Sequence, residues 1–181
     1  MHLTGYQAAK LLQAAANAEK AGLTFNRHWT IHYERAGIAE ADGARFIGHV
    51  LRLAKAQARR DGGDMAAIWV RENGEGKGGH VHIMLHLPAA MQLRNRTRRW
   101  IVTAGGVFRA RVSKVRTIGA SLNSASGASE HYWANADAVL RYLLKYTDME
   151  AGEALGLARY SEAGKVIGKR AGFTQNLGKG A

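Results

Sequence analysis

The segment Gly78-Gly79-His80-Val81-His82-Ile83-Met84-Leu85-His86-Leu87-Pro88 sets two histidines one apolar residue apart. In an extended strand side chains alternate and each residue rises about 3.3 Å, so His80 and His82 project from one face roughly 6–7 Å apart at Cα, where two imidazoles can grip one metal ion. Val81, Ile83, Leu85 and Leu87 fall on the opposite face, the expected buried side. A bare His-x-His is more often an amphipathic strand carrying histidine outward, so a second, distant motif matters. That motif is Leu140-Arg141-Tyr142-Leu143-Leu144-Lys145-Tyr146-Thr147-Asp148. Asn135 is expected to cap a helix with Ala136, Val139, Leu140, Leu143 and Thr147 as its core stripe, and Tyr142, Lys145 and Tyr146 cluster on the flank of that stripe. A phenol beside an ammonium is a candidate nucleophile. A tyrosine pair at the edge of a core, next to a solvated lysine, would use the same residues.

In order and spacing the two motifs resemble those of the HUH endonucleases, the rolling-circle replication initiators (Rep proteins) and relaxases that nick single-stranded DNA through a phosphotyrosine. In that family His-hydrophobic-His binds a divalent metal, and a downstream helix carries Tyr-x-x-Lys or Tyr-x-x-x-Tyr; Tyr142, Lys145 and Tyr146 satisfy both forms. Many initiators add a glutamate ligand just upstream of the His pair. Glu72 holds that place in Trp69-Val70-Arg71-Glu72-Asn73-Gly74-Glu75, with Glu75 as its substitute. The resemblance runs from the first strand through the tyrosine helix, without the helicase segment that some initiators append. It implies a metal-dependent, sequence- or structure-specific nicking and strand-transfer endonuclease, with Mn²⁺ or Mg²⁺ as cofactor. Single-stranded DNA, at an origin or stem-loop, would be its partner, with host helicase and replication proteins as further partners. A rolling-circle initiator is the leading reading; a plasmid-mobilisation relaxase or a transposase would share the chemistry.

Composition agrees with a polyanionic partner. The chain has 181 residues, which suits one domain with a sizeable core, and its 26 Lys plus Arg against 14 Asp plus Glu give a net charge of +12. There is no cysteine, which excludes disulfides and thiolate zinc sites. No apolar run approaches the ~20 residues that span a bilayer. Met1-His2-Leu3-Thr4-Gly5-Tyr6 lacks the charged and apolar regions of a signal peptide, so a cytoplasmic location is expected.

The elements that must position these residues can be placed in chain order. Tyr6 to Ala21 reads as an Ala-rich helix ending at Gly22, and Arg27 to Glu34 alternates as a first strand. Asp42 is expected to cap a helix striped by Phe46, Ile47, Val50, Leu51 and Ala54, stopped by Asp61-Gly62-Gly63. Met65 to Glu72 and His80 to Leu87 read as strands joined by a polar, Gly-rich hairpin. Pro88 opens a helix running to about Thr103, Val107 to Ile118 supplies strand four, and a Ser/Gly/Ala-rich loop leads to the tyrosine helix. This β-α-β-β-α-β order predicts an α+β, ferredoxin-like (RRM-like) antiparallel sheet with two helices on one face. An extra N-terminal helix precedes it, and the tyrosine helix would lie on the open face beside the histidines. One domain covers 1–181, with 151–181 as a basic, Gly-rich C-terminal segment read as a flexible end.

His86 shares the parity of the histidine pair but lies roughly 13 Å beyond His82, too far for the same ion. His28, Thr30 and His32 share a face of strand one and read as a solvated face, with DNA contact or support of the metal ligands as the alternative. Arg94, Arg96, Arg98 and Arg99 on the helix after Pro88, Arg109, Arg111, Lys114 and Arg116 on strand four, and Lys169 and Arg170 in the tail are candidate phosphate contacts; charge runs are otherwise solvated faces. Trp69, Trp100 and Trp133 are expected to be buried rather than stacked on bases. The tail is also similar to a basic Arg-x-x-Gly-(hydroxyl)-x-Asn-Leu segment of some initiators, through Arg170, Gly172, Thr174, Asn176 and Leu177.

A divalent ion on His80, His82 and Glu72 would polarise the scissile phosphate. Tyr142 would attack, Lys145 would favour its phenolate or balance phosphate charge, and Tyr146 would serve a second cut or strand transfer. Two readings of another class remain: a DNA-binding module that has lost catalysis, which would not need the four motif residues together, and a water-using phosphodiesterase, which would not need the tyrosines.

Overall fold

A computed structural model of the chain describes residues 2–74, 76–91, 93, 95–119, 130–157 and 164–178. Its helices are α1 (Gly5–Lys20), α2 (Gly43–Arg60), α3 (Arg96–Thr103), α4 (Glu130–Leu143) and α5 (Met149–Ala154), and its strands β1 (Arg27–Ile31), β2 (Ala66–Gly74), β3 (Gly78–His86), β4 (Ser113–Thr117) and β5 (Ala171–Phe173). The architecture is α+β, with all strands antiparallel in one open sheet of order β4-β1-β3-β2-β5. Among the described residues no helix is long and apolar enough to cross a membrane.

Alternation in β3 divides the sheet between two cores. Val81, Ile83 and Leu85 join Trp29, Ile31, Ala67 and Trp69 beneath the stripe of α2 (Phe46, Ile47, Val50, Ala54) and beneath Trp100 and Ile101 of α3. On the other face Met84, Ala66, Ile68 and Val70 pack under Leu11, Ala14 and Ala18 of α1 and under Tyr132 and Leu143 of α4. The histidine face is therefore not open: His80 and His82 are only 4 % and 5 % exposed. Burying apolar area on both faces at roughly 25 cal/mol per Å² makes the central strand the most tightly specified part of the sheet, since a one-residue slip would exchange the two faces. Register puts Glu72 opposite His80 and Val70 opposite His82.

Several boundaries depart from the sequence reading, each for a local reason. Thr4 and Gln7 form a reciprocal capping box that starts α1. Asp42 makes no side-chain cap to α2 and instead pairs with Arg45. Pro88 opens no helix: its carbonyl accepts from Met91, and α3 begins only at Arg96, after Asn95 with φ 61°. Strand β4 is shorter than expected because Arg111 turns the chain with φ 64° before Ser113. Asn135 lies inside α4 and bonds His131 rather than capping. The tail reads as a flexible end in sequence, yet Ala171–Phe173 pairs with Ile68, Trp69 and Val70 as an edge strand. Its glycines conceal this, because β-propensity scores side chains that glycine lacks.

Candidate active site

Adjacent strands and one helix end assemble the candidate site. Glu72 of β2 and His80 and His82 of β3 share a face, and one ligand atom from each lies within 4.8 Å of the others. His80 Nε2 is 3.2 Å and His82 Nε2 3.6 Å from Glu72 Oε2. His80 Nδ1 lies 2.9 Å from the Gly78 carbonyl, which can only accept, so Nδ1 is a donor there and Nε2 is the nitrogen that faces the carboxylate. His82 Nδ1 has Thr30 Oγ1 at 3.0 Å and His28 Nε2 at 3.2 Å, either of which can accept its proton and leave Nε2 free. Glu72 Oε1 accepts no hydrogen bond. Two imidazole nitrogens and a carboxylate, all electron-rich and turned inward, fit a shared divalent cation.

Electrostatics keep the Glu72 carboxylate ionised and oppose protonation of His82, His28 and His32. Burial would raise the Glu72 carboxyl, but contacts from His80 and His82 and the charge of Lys145 overcome it and hold it well below the usual carboxylate range. Burial lowers His82 despite the opposing pull of Glu72. His28 is lowered to about 4 by burial and then by His82, Arg116 and Lys145; His32, stacked on His80 with ring centroids 5.0 Å apart, is lowered to about 4 by burial and then by His80 and Arg35. The four imidazoles thus back one another, and β1 supplies orienting partners rather than the solvated face expected from sequence.

Tyr142 and Lys145 reach the cluster from the end of α4. The Tyr142 hydroxyl is 3.5 Å from His82 Nε2. Lys145 Nζ lies 2.9 Å from Glu72 Oε1 and 3.1 Å from Oε2, of which only the second has hydrogen-bond geometry, and 3.5 Å from the centroid of the Tyr142 ring. The expected continuous helix stops at Leu143, however, so Lys145 and Tyr146 occupy a turn. Leu3 fixes that turn by donating to the Tyr146 carbonyl and accepting from Asp148. Tyr146 is half-buried, its ring 4.7 Å from Lys145 Nζ, and burial and then Glu72 raise its phenol.

A cleft of about 760 Å³ between β4 and α4 opens onto His28, His82 and Tyr142, and exposed Arg111, Lys114 and Arg116 line it. Of the other basic candidates, Arg96, Arg98 and Arg99 sit on α3, across the sheet from the cluster; Arg96 pairs with Asp61 and Arg98 lies over Phe108. Arg109 is exposed but does not line the cleft. Lys169 lies over Trp69, again on the far face, and Arg170 is buried. Trp69 and Trp100 are buried, whereas Trp133 is 38 % exposed. His86 is occupied with the Thr24 carbonyl. Arg94 and Glu75 fall outside the described residues. Sequence reasoning missed the buried Arg71–Glu40–Tyr33 network, although Arg71 at the core-facing parity of Trp69 was a signal that partners must exist.

The chain matches no family model, no curated protein and no solved structure.

Proposed function

We propose that the protein is a metal-dependent, single-stranded DNA nicking and strand-transfer endonuclease of the HUH type, acting through a 5′-phosphotyrosine as a rolling-circle initiator does. The observation that carries this reading is the Tyr142 hydroxyl 3.5 Å from His82 Nε2, a nucleophile beside candidate metal ligands at the floor of a basic cleft. The order β4-β1-β3-β2, with α2 and α3 on one face, supports the ferredoxin-like (RRM-like) core that such enzymes use.

Glu72, His80 and His82 would hold Mn²⁺ or Mg²⁺, which when bound would polarise the scissile phosphate. Arg111, Lys114 and Arg116 attract the DNA backbone into the cleft. Tyr142 Oη attacks phosphorus, the bond from phosphorus to the 3′ oxygen breaks, and the phenolic proton ends on that oxygen through solvent. The products are a 5′-phosphotyrosine and a free 3′ hydroxyl, so the ester is conserved for rejoining. Lys145 supplies positive charge against the Tyr142 ring as the phenol loses its proton.

The test is incubation with a random single-stranded DNA pool and Mn²⁺, followed by denaturing gels and sequencing of captured strands. A protein–DNA adduct that survives denaturation and disappears in His80→Ala/His82→Ala is expected. Cleavage without any adduct, persisting when both tyrosines are phenylalanine, would assign the cluster to water-driven phosphodiester hydrolysis instead.

A further inference from the structure

Two buried arginines, Arg71 on β2 and Arg170 just before β5, behave differently. Arg71 is fully satisfied: its guanidinium donates to the Ile167 and Lys169 carbonyls at 2.9 and 3.0 Å, to Glu40 Oε1 at 2.6 Å and to the Tyr33 hydroxyl at 3.3 Å. Arg170 is 4 % exposed, yet among the described residues only its Nη2 has a partner, the Gly164 carbonyl at 2.7 Å. Its Nε and Nη1 are buried without any hydrogen-bond partner. Among the described residues it forms no ion pair, although the Glu72 carboxylate is the strongest charge attracting it. Glu72 is already neutralised by Lys145.

A permanent charge with vacant donors, held away from water, costs stability that a ligand can return. The mount is rigid, because the Arg71 amide donates to the Arg170 carbonyl at 2.7 Å while the Arg71 side chain clamps the Ile167 and Lys169 carbonyls just before it. Nη2 has two hydrogens and gives one to Gly164. A two-pronged edge therefore stays free, either Nε with Nη2 or Nη1 with Nη2, and such an edge matches the paired oxygens of a phosphate. A structural arginine would resemble Arg71, and Arg170 does not.

We propose that Arg170 anchors a phosphate-binding subsite just before β5, its free donor edge taking a phosphate oxyanion while Nη2 keeps its bond to the Gly164 carbonyl. The assignment of that phosphate to the DNA backbone rests on the nicking reading; the subsite itself needs only phosphate chemistry.

The first measurement is thermal unfolding of the metal-free protein in EDTA, with and without inorganic phosphate at constant ionic strength. Phosphate should raise the wild-type Tm by about 2–4 °C, a modest ligand effect for a domain of this size. Arg170→Met should melt higher than wild type without phosphate and not respond to it, and Arg170→Lys, which keeps charge but loses the fork, should respond weakly. A lower Tm for Arg170→Met without phosphate, or a phosphate response equal to wild type in either variant, overturns the proposal; if Arg170→Met does not fold, Arg170→Lys decides alone. The second arm titrates single-stranded DNA with salt in a Tyr142→Phe background loaded with Mn²⁺. With one phosphate fewer neutralised, Arg170→Met should lower the log-log slope by about 0.7. An Arg170-dependent phosphate response with an unchanged DNA slope keeps the subsite but assigns it to a free phosphate compound, which counts against the nicking reading. DNA adduct formation with no phosphate response and no slope change keeps the nicking reading and removes the subsite.

Discussion

Lys145 Nζ lies 2.9 Å from Glu72 Oε1, an ion pair of the candidate site that needs no histidine proton. The ammonium supplies to this carboxylate the positive charge that a divalent ion would also bring, so lysine and a bound metal would compete for Glu72. Removing the lysine leaves a buried carboxylate without its ion-pair partner. Lys145→Met should therefore destabilise the metal-free protein by about 3 kcal/mol, the low end for breaking a buried pair, since Lys145 keeps some solvent contact. Mn²⁺ should return more stability to this variant than to wild type. Urea unfolding with EDTA and with Mn²⁺ measures both differences, and equal metal stabilisation would mean that Lys145 and the ion do not share the carboxylate.

Histidines on β1 and just after it predict a pH profile. His28 and His32 each fall to about 4 in the fold, from an ordinary value near 6.5. A depressed folded value means that the unfolded chain binds more protons between the two values, so their contribution is fully present above 6.5 and drains away as pH falls toward 4. Stability in EDTA should be flat from pH 8 to 7 and decline through pH 5. His28→Gln and His32→Gln should each flatten that decline. An unaltered slope in the double variant would place the titration elsewhere.

The first core and the gathering of the candidate site are readable in sequence because periodicity and motif spacing report them directly. Val81, Ile83 and Leu85 alternate in β3, and Phe46, Ile47, Val50 and Ala54 follow helical spacing in α2. Tyr142, Lys145, Glu72, His80 and His82 meet as their types and order suggest, since strand register and one helix end suffice to gather them. Long-range pairing is not readable. Nothing local in Ala171-Gly172-Phe173 says that it will hydrogen-bond to β2 about a hundred residues earlier, and nothing in Thr30 says that it will face His82 Nδ1. The second sheet face misleads for a related reason: its histidines look solvent-facing until α1 and α4 are laid over their neighbours.

The placement of α3 divides the basic candidates between the two faces of the sheet. Arg96, Arg98 and Arg99 lie across the sheet from the cleft, while Arg111, Lys114 and Arg116 line it. Changing the cleft trio to glutamine should lower the log-log salt slope for single-stranded DNA by about 0.7 for each phosphate that is no longer neutralised. The same change at Arg96, Arg98 and Arg99 should leave it unaltered. Fluorescence anisotropy across a salt series reads both; a larger effect from α3 would put the DNA on the other face.

Geometry also separates the two tyrosines. The Tyr142 hydroxyl reaches His82 Nε2 at 3.5 Å from the last turn of α4, with Lys145 Nζ 3.5 Å from its ring centroid. Tyr146 lies beyond the helix, with its backbone held by Leu3, and burial and Glu72 oppose ionisation of its phenol. Tyr142 should be the first nucleophile. Tyr142→Phe removes only the attacking oxygen and should eliminate the covalent DNA adduct while leaving Mn²⁺ affinity and Tm near wild type. Tyr146→Phe should leave the first adduct measurable and impair a later strand transfer. Peptide mapping of trapped DNA by mass spectrometry decides the order: an adduct confined to Tyr146 reverses it, and an active Tyr142→Phe/Tyr146→Phe protein removes phosphotyrosine chemistry from this site.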